Sequence, residues 1–326
     1  MPISNGTATR GREPVRILVT GAGGFAGRHL LNELSAAGHT PIGFDLKALP
    51  DSLSCEAFVG DLRNESDIER AIRESRPDAC IHLGGIAFVP MGWTDPDFVL
   101  AVNLGGTVNL LECVKRIAPQ TRLLVVTSAE IYGGGTADGM IHEDTGMRPA
   151  SIYAVAKMAA DLTALLYFRQ HAMPVLTARP GNHMGPGQAE PFVTASFARQ
   201  LAEMKAGLKD PVLHVGNLDS ERDFADVRDT VRAYRLLIES GRPGRAYNIA
   251  ASNRVRIGDM LQQLCDLSGV HPSINVDPAR FRPTDRPALL DTTRIRLDVG
   301  WCPEIPLSKT LADIMEDWLT RTTPRE

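Results

Sequence analysis

A glycine-rich turn between a strand and a helix limits the fold of this chain more than any other feature. The β-branched run Arg16–Thr20 leads into Gly-Ala-Gly-Gly-Phe-Ala-Gly, and helical periodicity follows at once. Glycines at such a turn let the backbone approach a ligand, so that N–H groups and the positive helix end can hold a pyrophosphate. The spacing fits G-x-G-x-x-G/A and fits G-x-x-G-x-x-G better. It therefore predicts a dinucleotide-binding turn with the contacts Gly21, Gly23, Gly24, Phe25, Ala26 and Gly27.

The rest of the first half repeats this alternation of strand and helix, which is typical of βαβ units around a parallel sheet. From 180 to 191, glycines and prolines recur, and we expect neither regular helix nor strand there. The predicted strands are Val15–Thr20, Pro41–Asp45, Ala79–Leu83 and Arg122–Thr127, with a strand-like Ala57–Gly60 and a short strand near Val212–Val215; later helices are predicted near Phe192–Ala206, Asp226–Glu239, Ile257–Leu267 and Leu307–Leu319.

These elements predict an α/β fold with two parts. A mobile tail, 1–14, precedes a Rossmann-type doubly wound parallel sheet over 15–180. A smaller mixed α/β domain over 181–326 follows, and the chain is free to cross between the two parts. We expect a ligand-binding cleft where they meet.

Composition narrows the class of protein. Of the 326 residues, 43% are hydrophobic and 23% are charged, as in globular proteins, and the charges that sum to −4 are interspersed, which argues against a nucleic-acid-binding surface. The five cysteines form no C-x-x-C pair, so we expect no zinc or redox site. We find no run of about 18 apolar residues and no signal peptide, and we therefore expect a cytoplasmic protein without a membrane partner.

Acidic residues after the next strands indicate which dinucleotide binds. Asp45 lies at the end of the second strand, where a carboxylate can accept hydrogen bonds from an adenosine ribose and repel a 2′-phosphate. This favours NAD(H) over NADP(H), although the neighbouring Lys47 weakens the preference. Asp61, followed by Leu62, either contacts the adenine or caps a helix. Further cofactor candidates after the strand that begins at Ala79 are Leu83, Gly84 and Gly85.

A tyrosine and a lysine at helical spacing supply candidate acid–base chemistry. Tyr153 and Lys157 are separated by i, i+4, so the phenol and the ammonium lie on one face of a helix. Because a neighbouring cation favours the phenolate, we expect Lys157 to lower the pKa of Tyr153. Ser128, just past a strand, is suited to hydrogen-bond a substrate carbonyl. Glu130 is either a base or a polar loop residue.

The chain resembles the extended short-chain dehydrogenase/reductase family over nearly its whole length. The resemblance is carried by T-G-x-x-G-x-x-G, Ser128 and Y-x-x-x-K together. The resemblance implies that Ser128, Tyr153 and Lys157 act on a hydroxyl or carbonyl beside the nicotinamide. It also implies that Lys157 contacts the cofactor ribose and that Asn103 completes the catalytic group.

Motifs of the second half resemble the branch that handles GDP-mannose derivatives. They are Arg-Pro-Gly-Asn-His-Met-Gly-Pro-Gly-Gln from 179, the 216–229 segment with its Arg-Asp-Phe, and Phe-Arg-Pro-Thr-Asp from 281. A GDP-linked sugar is thus the implied substrate. Its diphosphate needs fixed cations and its ribose a carboxylate. The candidates are Arg222 and Arg282 for the phosphates, Asp285 for the ribose, and Asn182 for the sugar or first phosphate. Arg256 is a weaker candidate for a phosphate, because a basic residue just before a helix is more often exposed to solvent without a ligand.

The resemblance implies NAD(P)H-dependent reduction of the C4 keto group of a GDP-4-keto-6-deoxy-hexose, which would convert GDP-4-keto-6-deoxy-D-mannose into GDP-D-rhamnose. Two other functions stay open: a GDP-mannose 4,6-dehydratase or nucleotide-sugar 4-epimerase that retains its NAD(P), with Glu130 as the dehydratase base, and a non-catalytic protein that senses a dinucleotide. Helices near Phe98–Arg116 and Tyr153–Gln170 are candidates for a homodimer interface, although packing on the sheet explains their apolar stripes equally well.

Overall fold

The strand and helix around the glycine-rich turn form as predicted. In the computed structural model of the chain, which describes residues 14–134, 139–277 and 288–323, the strand covers Arg16–Thr20 and the helix Phe25–Ala36. The helix buries Leu30, Leu31 and Leu34 against the sheet, and Gly24 is its N-cap. The positive helix end therefore lies at the carboxyl end of the strand.

Within the described residues the strands are β1 Arg16–Thr20, β2 Thr40–Asp45, β3 Glu56–Val59, β4 Ala79–His82, β5 Arg122–Val126, β6 Met140–Ile141, β7 Val175–Pro180, β8 Asn182–Met184, β9 Val212–Val215, β10 Glu221–Asp226, β11 Ala246–Ile249, β12 Arg254–Arg256, β13 Ser273–Val276 and β14 Leu289–Leu290. The helices are α1 Phe25–Ala36, α2 Glu65–Ser75, α3 Met91–Thr94, α4 Pro96–Leu100, α5 Gly106–Ile117, α6 Ile152–His171, α7 Val193–Lys205, α8 Val227–Ser240, α9 Ile257–Ser268, α10 Thr293–Val299 and α11 Leu307–Thr322; a π-helical turn covers Ala101–Gly105 and a 3₁₀ turn Ala129–Tyr132.

Seven strands form one parallel sheet in the order β11-β7-β5-β4-β1-β2-β3, which confirms the predicted α/β, Rossmann-like class. Helices α1 and α8 pack on one face of the sheet, and α2, α5 and α6 pack on the other. The central strands are buried on both faces and consist of nearly continuous apolar runs. The carboxyl ends of all these strands meet at one edge.

The last strand of this sheet comes from the second half of the chain. β11 pairs with β7 through register contacts such as Ala246 with Thr177, and α8, also beyond residue 180, packs against α1. The chain therefore crosses back to the sheet, as the sequence left open. A separate core joins α7, α9 and α11 to the three-stranded sheet β12-β10-β8.

One structural expectation is wrong. The glycine- and proline-rich segment 180–191 contains the short strand β8, which pairs in parallel with β10, residue Asn182 with Phe224 and Met184 with Asp226. The partner strand lies some forty positions away, so local composition gave no indication of the pairing.

One helical stretch in the described part of the chain, Pro96–Ile117, is long and apolar enough by length and composition to cross a membrane. In this fold Leu110, Leu111 and Val114 of the stretch are buried in the core beneath the sheet. Packing inside the molecule therefore accounts for its apolar side.

Candidate active site

A cavity of about 1700 Å³ opens where the carboxyl ends of the parallel strands face the smaller core. This edge of a doubly wound sheet is where such folds bind their ligands. The predicted residues that line the cavity are Gly21, Gly23, Gly24, Phe25, Ala26, Gly27, Asp45, Asp61, Leu62, Leu83, Gly84, Gly85, Ser128, Glu130, Tyr153, Lys157, Asn182 and Arg222.

The glycine turn forms a cradle that side chains would fill. Gly21 has φ +70°, and a Cβ there would lie 2.8 Å from the backbone nitrogen of Gly84. A Cβ on Gly27 would collide with the carbonyl oxygen of Gly21, so this glycine lets α1 pack closely on the turn. The backbone N–H groups and the positive end of α1 thus border open space, which fits the pyrophosphate of a dinucleotide.

Asp45 is fixed directly to this turn. Its Oδ2 accepts the Gly23 N–H at 2.9 Å, and its Oδ1 lies 3.5 Å from the Lys47 backbone nitrogen. The carboxylate is half-buried at the end of β2 and lines the cavity. A carboxylate held here faces whatever ribose follows the pyrophosphate.

Asp61 carries a partner that sequence reasoning missed. Arg63 donates to its carboxylate from Nε at 3.0 and 3.1 Å and from Nη2 at 2.5 Å, and these bonds lower the pKa of Asp61. The guanidinium also lies 5.2 Å from the ring centroid of Phe98 and lines the cavity. An arginine two residues after an aspartate is common on surfaces, so its spacing carries no functional signal.

Ser128 and Tyr153 meet at the floor of the cavity. The Ser128 hydroxyl accepts the Glu130 N–H at 3.1 Å, which caps the 3₁₀ turn, and both Ser128 and Tyr153 line the cavity. Burial raises the pKa of Tyr153 to about 12; the nearby Ser128 hydroxyl acts to lower it, and the charge of Glu130 raises it further. The expectation that Lys157 lowers this pKa is wrong: the pKa is raised, and burial is the largest cause. A phenol that keeps its proton at neutral pH is suited to donate it.

Lys157 lies one turn along α6, on the same face as Tyr153. Its ammonium donates to the carbonyl of Val126 at 3.1 Å, and burial lowers its pKa to about 8. Ser151 is the N-cap of this helix, and its Oγ accepts the Ala154 N–H at 3.1 Å. This cap sets where the Tyr–Lys face starts relative to β5.

Asn103 lies behind the cavity and does not line it. It is buried in the π-helical turn, where its Oδ1 accepts the Ile86 N–H at 2.7 Å and its Nδ2 donates to the Ile86 carbonyl at 3.1 Å. A Cβ on Gly85 would lie 2.7 Å from the same Oδ1. Asn103 thus acts on the site through the loop after β4.

On the opposite wall, Asn182 and Arg222 line the cavity, and Arg222 Nη1 donates to the Glu221 carbonyl at 2.7 Å. Arg256 does not line it: its exposed guanidinium pairs with Asp219 at 2.5 Å and Asp259 at 3.3 Å. This is the solvated alternative that the sequence left open. Arg282 and Asp285 lie outside the described residues.

Sequence reasoning also missed Arg199 of α7. It lines the same wall and pairs with Glu190 at 3.3 Å and Glu203 at 2.6 Å. The Arg199–Glu203 spacing is that of an ordinary surface pair on a helix. Only the fold turns this face of α7 toward the cavity.

Comparison with known proteins agrees with this geometry. The family described as GDP-mannose 4,6 dehydratase matches residues 18–314. A GDP-6-deoxy-D-mannose reductase from Pseudomonas aeruginosa is 38% identical over 94% of this chain and 98% of its own length. A GDP-mannose 4,6-dehydratase from Vibrio cholerae is 27% identical over 93% of both chains.

Among solved structures, RMD from Pseudomonas aeruginosa complexed with NADPH superposes with a TM-score of 0.83 and 37% identity, and it covers 94% of this chain and all of that one. The Tyr–Lys face, the glycine cradle and the match over most of the chain lead to one assignment. The chain belongs to the GDP-mannose 4,6-dehydratase family, and it is an NAD(P)-dependent enzyme of the extended short-chain dehydrogenase/reductase type.

Proposed function

We propose that this enzyme reduces the C4 keto group of GDP-4-keto-6-deoxy-D-mannose with NAD(P)H and forms GDP-D-rhamnose. The observation that carries the proposal is the 38% identity to a GDP-6-deoxy-D-mannose reductase over 94% of the chain. The presence of both Ser128 and Tyr153 in the lining of the cavity supports it, because two hydroxyls are then available where a carbonyl can bind.

A bound reduced nicotinamide supplies the hydride for the keto carbon. Tyr153 donates its proton to the carbonyl oxygen, and Ser128 holds that oxygen with a hydrogen bond. The buried Lys157 ammonium, on the same face of α6 as Tyr153, holds the cofactor ribose. Asn103 keeps the loop after β4 in place.

The substrate lies along the opposite wall of the cavity. Arg222 and Arg282 clamp the diphosphate, Asp285 accepts from the ribose of GDP, and Asn182 contacts the sugar or the first phosphate. Arg222 and Asn182 line the cavity, which supports this arrangement.

For the cofactor, NADH is favoured over NADPH. The Asp45 carboxylate, held 2.9 Å from the Gly23 nitrogen, would repel a 2′-phosphate. A relative of known structure is complexed with NADPH, so the preference is a matter of degree. Replacement of Asp45 by Ala relieves the repulsion, and we expect the ratio of kcat/KM for NADH to that for NADPH to fall.

The enzyme works as a homodimer in the cytoplasm. Leu162 and Leu166 on α6 are exposed at i, i+4, which supports an interface on this helix. Sedimentation velocity on the purified protein tests the dimer.

The deciding assay follows the absorbance of NADH, and of NADPH separately, after addition of freshly generated GDP-4-keto-6-deoxy-mannose. Stoichiometric oxidation by the wild type and its loss in Tyr153→Phe, with GDP binding retained, is the expected result. Full turnover in Tyr153→Phe would overturn the role of the phenol.

Glu130 favours one alternative, a GDP-mannose 4,6-dehydratase. Its carboxylate is exposed in the cavity and close enough to raise the pKa of Tyr153, so it is placed to act as a base. If GDP-mannose is converted to a 4-keto product without net consumption of cofactor, and Glu130→Gln abolishes this, dehydration replaces reduction as the function.

A further inference from the structure

A chain of buried hydrogen bonds runs behind the loop that follows β4, and its central residue has no role in the chemistry proposed above. His82, the last residue of β4, is 2% exposed. Its Nδ1 lies 2.7 Å from Thr20 Oγ1, and its Nε2 lies 3.0 Å from Thr107 Oγ1. Both threonines are buried. The imidazole therefore joins the end of β1 to α5.

The direction of each hydrogen bond follows from the number of protons available. Thr107 donates its one hydroxyl proton to the carbonyl of Asn103 at 2.8 Å, so it must accept from His82 Nε2. His82 Nδ1 then accepts from Thr20, whose oxygen accepts the Gly84 N–H at 3.1 Å. Every donor has one acceptor if the imidazole is neutral and carries its proton on Nε2.

The surroundings of His82 keep it in that state. Burial lowers the pKa of the imidazole to about 3, and the charge of Lys157 lowers it as well. A proton added to Nδ1 would also remove the acceptor that the Thr20 hydroxyl uses. The direction of the chain is therefore the same throughout the neutral pH range.

Both ends of this chain hold the dinucleotide loop, residues 83–86. At one end Gly84 N–H is bound by Thr20, and Leu83, Gly84 and Gly85 line the cavity. At the other end the chain reaches the backbone of Asn103, whose side chain binds both polar groups of Ile86. The loop is thus attached at two points to one hydrogen-bonded chain.

We propose that His82 is a positioning residue which, through Thr20 and Thr107, holds the dinucleotide loop at the distance from the glycine turn that the cofactor requires. The inference rests on the dinucleotide site of the proposed function and is independent of which sugar is bound. His82 itself does not line the cavity.

The test uses Thr107→Val in the full-length enzyme, because valine keeps the size of threonine and removes only the hydroxyl. The substitution leaves His82 Nε2–H without its acceptor and removes the hydroxyl bond to the Asn103 carbonyl, so we expect the Kd for NADH, from fluorescence titration, to rise about tenfold. At saturating NADH the kcat should change less than the KM. Thr107→Ser restores the hydroxyl and should return the Kd to about the wild-type value.

Thr177→Val is the matched control. The Thr177 hydroxyl on β7 is equally buried but has no hydrogen-bond partner among the described residues. Its loss should leave the Kd for NADH unchanged. If Thr107→Val binds NADH like the wild type, or if both valine variants weaken binding equally, the proposal is overturned.

A second measurement does not depend on any variant. The ¹⁵N NMR signals of the His82 ring in the wild type should show a protonated Nε2 and an unprotonated Nδ1 at neutral pH. An imidazolium or an Nδ1–H tautomer would contradict the assigned direction. Failure of the reductase assay with NADH binding intact would concern only the sugar chemistry, so the two proposals fail separately.

Discussion

At the scale of single residues, Gly85 shows how little space the site leaves around the dinucleotide loop. A Cβ added there would lie 2.7 Å from Asn103 Oδ1 and 3.4 Å from Lys157 Nζ, whereas its backbone φ is not in the left-handed region. Space and not conformation therefore requires glycine at this position.

We expect Gly85→Ala to lower kcat/KM for NADH by about tenfold to a hundredfold, since the methyl group must displace Asn103 or Lys157. Gly146→Ala is the control, because no atom lies within 4 Å of the added Cβ. Initial rates at varied NADH measure both. Equal rates for the two variants would show that the loop moves freely.

Lys157 gives a prediction for stability against pH. Burial lowers its pKa from 10.5 to about 8, so above pH 8 the unfolded chain binds more protons at this lysine than the folded chain does. Stability must then rise with pH between about 8 and 10.5, by about 3 kcal/mol in total from this group. Urea denaturation of the wild type and of Lys157→Met over this range measures the difference. A constant difference in unfolding free energy would mean that the pKa is not lowered.

At the scale of elements, a buried network ties the catalytic helix to the sheet. Arg179 of β7 donates to the Asp161 carboxylate of α6 at 2.6 and 3.1 Å and to the Tyr132 hydroxyl at 2.8 Å. Thr127, next to Ser128, lies 3.1 Å from the same carboxylate. The pair is almost fully buried, so one contact fixes β5, β7 and α6 together.

Asp161→Asn should reduce the free energy of unfolding by about 3–5 kcal/mol, because Arg179 keeps a buried charge without its partner. It should also lower kcat, since α6 carries Tyr153 and Lys157. Asp259→Asn, which breaks the exposed pair with Arg256, should change stability by at most about 1 kcal/mol. Denaturant titrations measure the free energy of unfolding of both variants. If both substitutions lower it by the same small amount, the buried pair does not hold α6.

At the scale of the whole molecule, the two halves of the chain share one core. From α8, Val231, Tyr234 and Leu237 are buried in the same cluster as Leu30 and Leu34 of α1. Trp301 is also buried there, and its indole donates to the Asp229 carbonyl at 2.9 Å. The cover of this face of the sheet, begun by α1, is therefore incomplete until α8 has formed beyond residue 226.

A fragment of residues 14–180 should accordingly show no cooperative thermal transition and no binding of NADH, because β7 becomes an open edge and the α8 face of the sheet is exposed. The control is the chain 14–323, which keeps every described element. It should unfold in a cooperative thermal transition and bind NADH. Circular dichroism and fluorescence titration provide the measurements. A fragment that melts cooperatively and binds NADH would contradict the shared core.

The sequence alone determined the elements whose signals are local. Periodicity and short spacing predict the glycine turn and the Tyr153–Lys157 face, because neighbours along the chain decide them. The strands predicted for the first half likewise begin and end within one residue of the observed bounds. The residues lining the dinucleotide side of the cavity were accordingly predictable, and the family resemblance to extended dehydrogenases is confirmed.

Tertiary structure alone decided what depends on distant neighbours and on exclusion of water. It pairs β8 with β10, turns Arg199 toward the cavity and leaves Arg256 in solvent. It also raises the pKa of Tyr153, although an adjacent lysine in sequence suggested the opposite. Solvation and long-range contacts are properties of the assembled core, and a charge or a hydroxyl acquires them only when residues far apart in the chain enclose it.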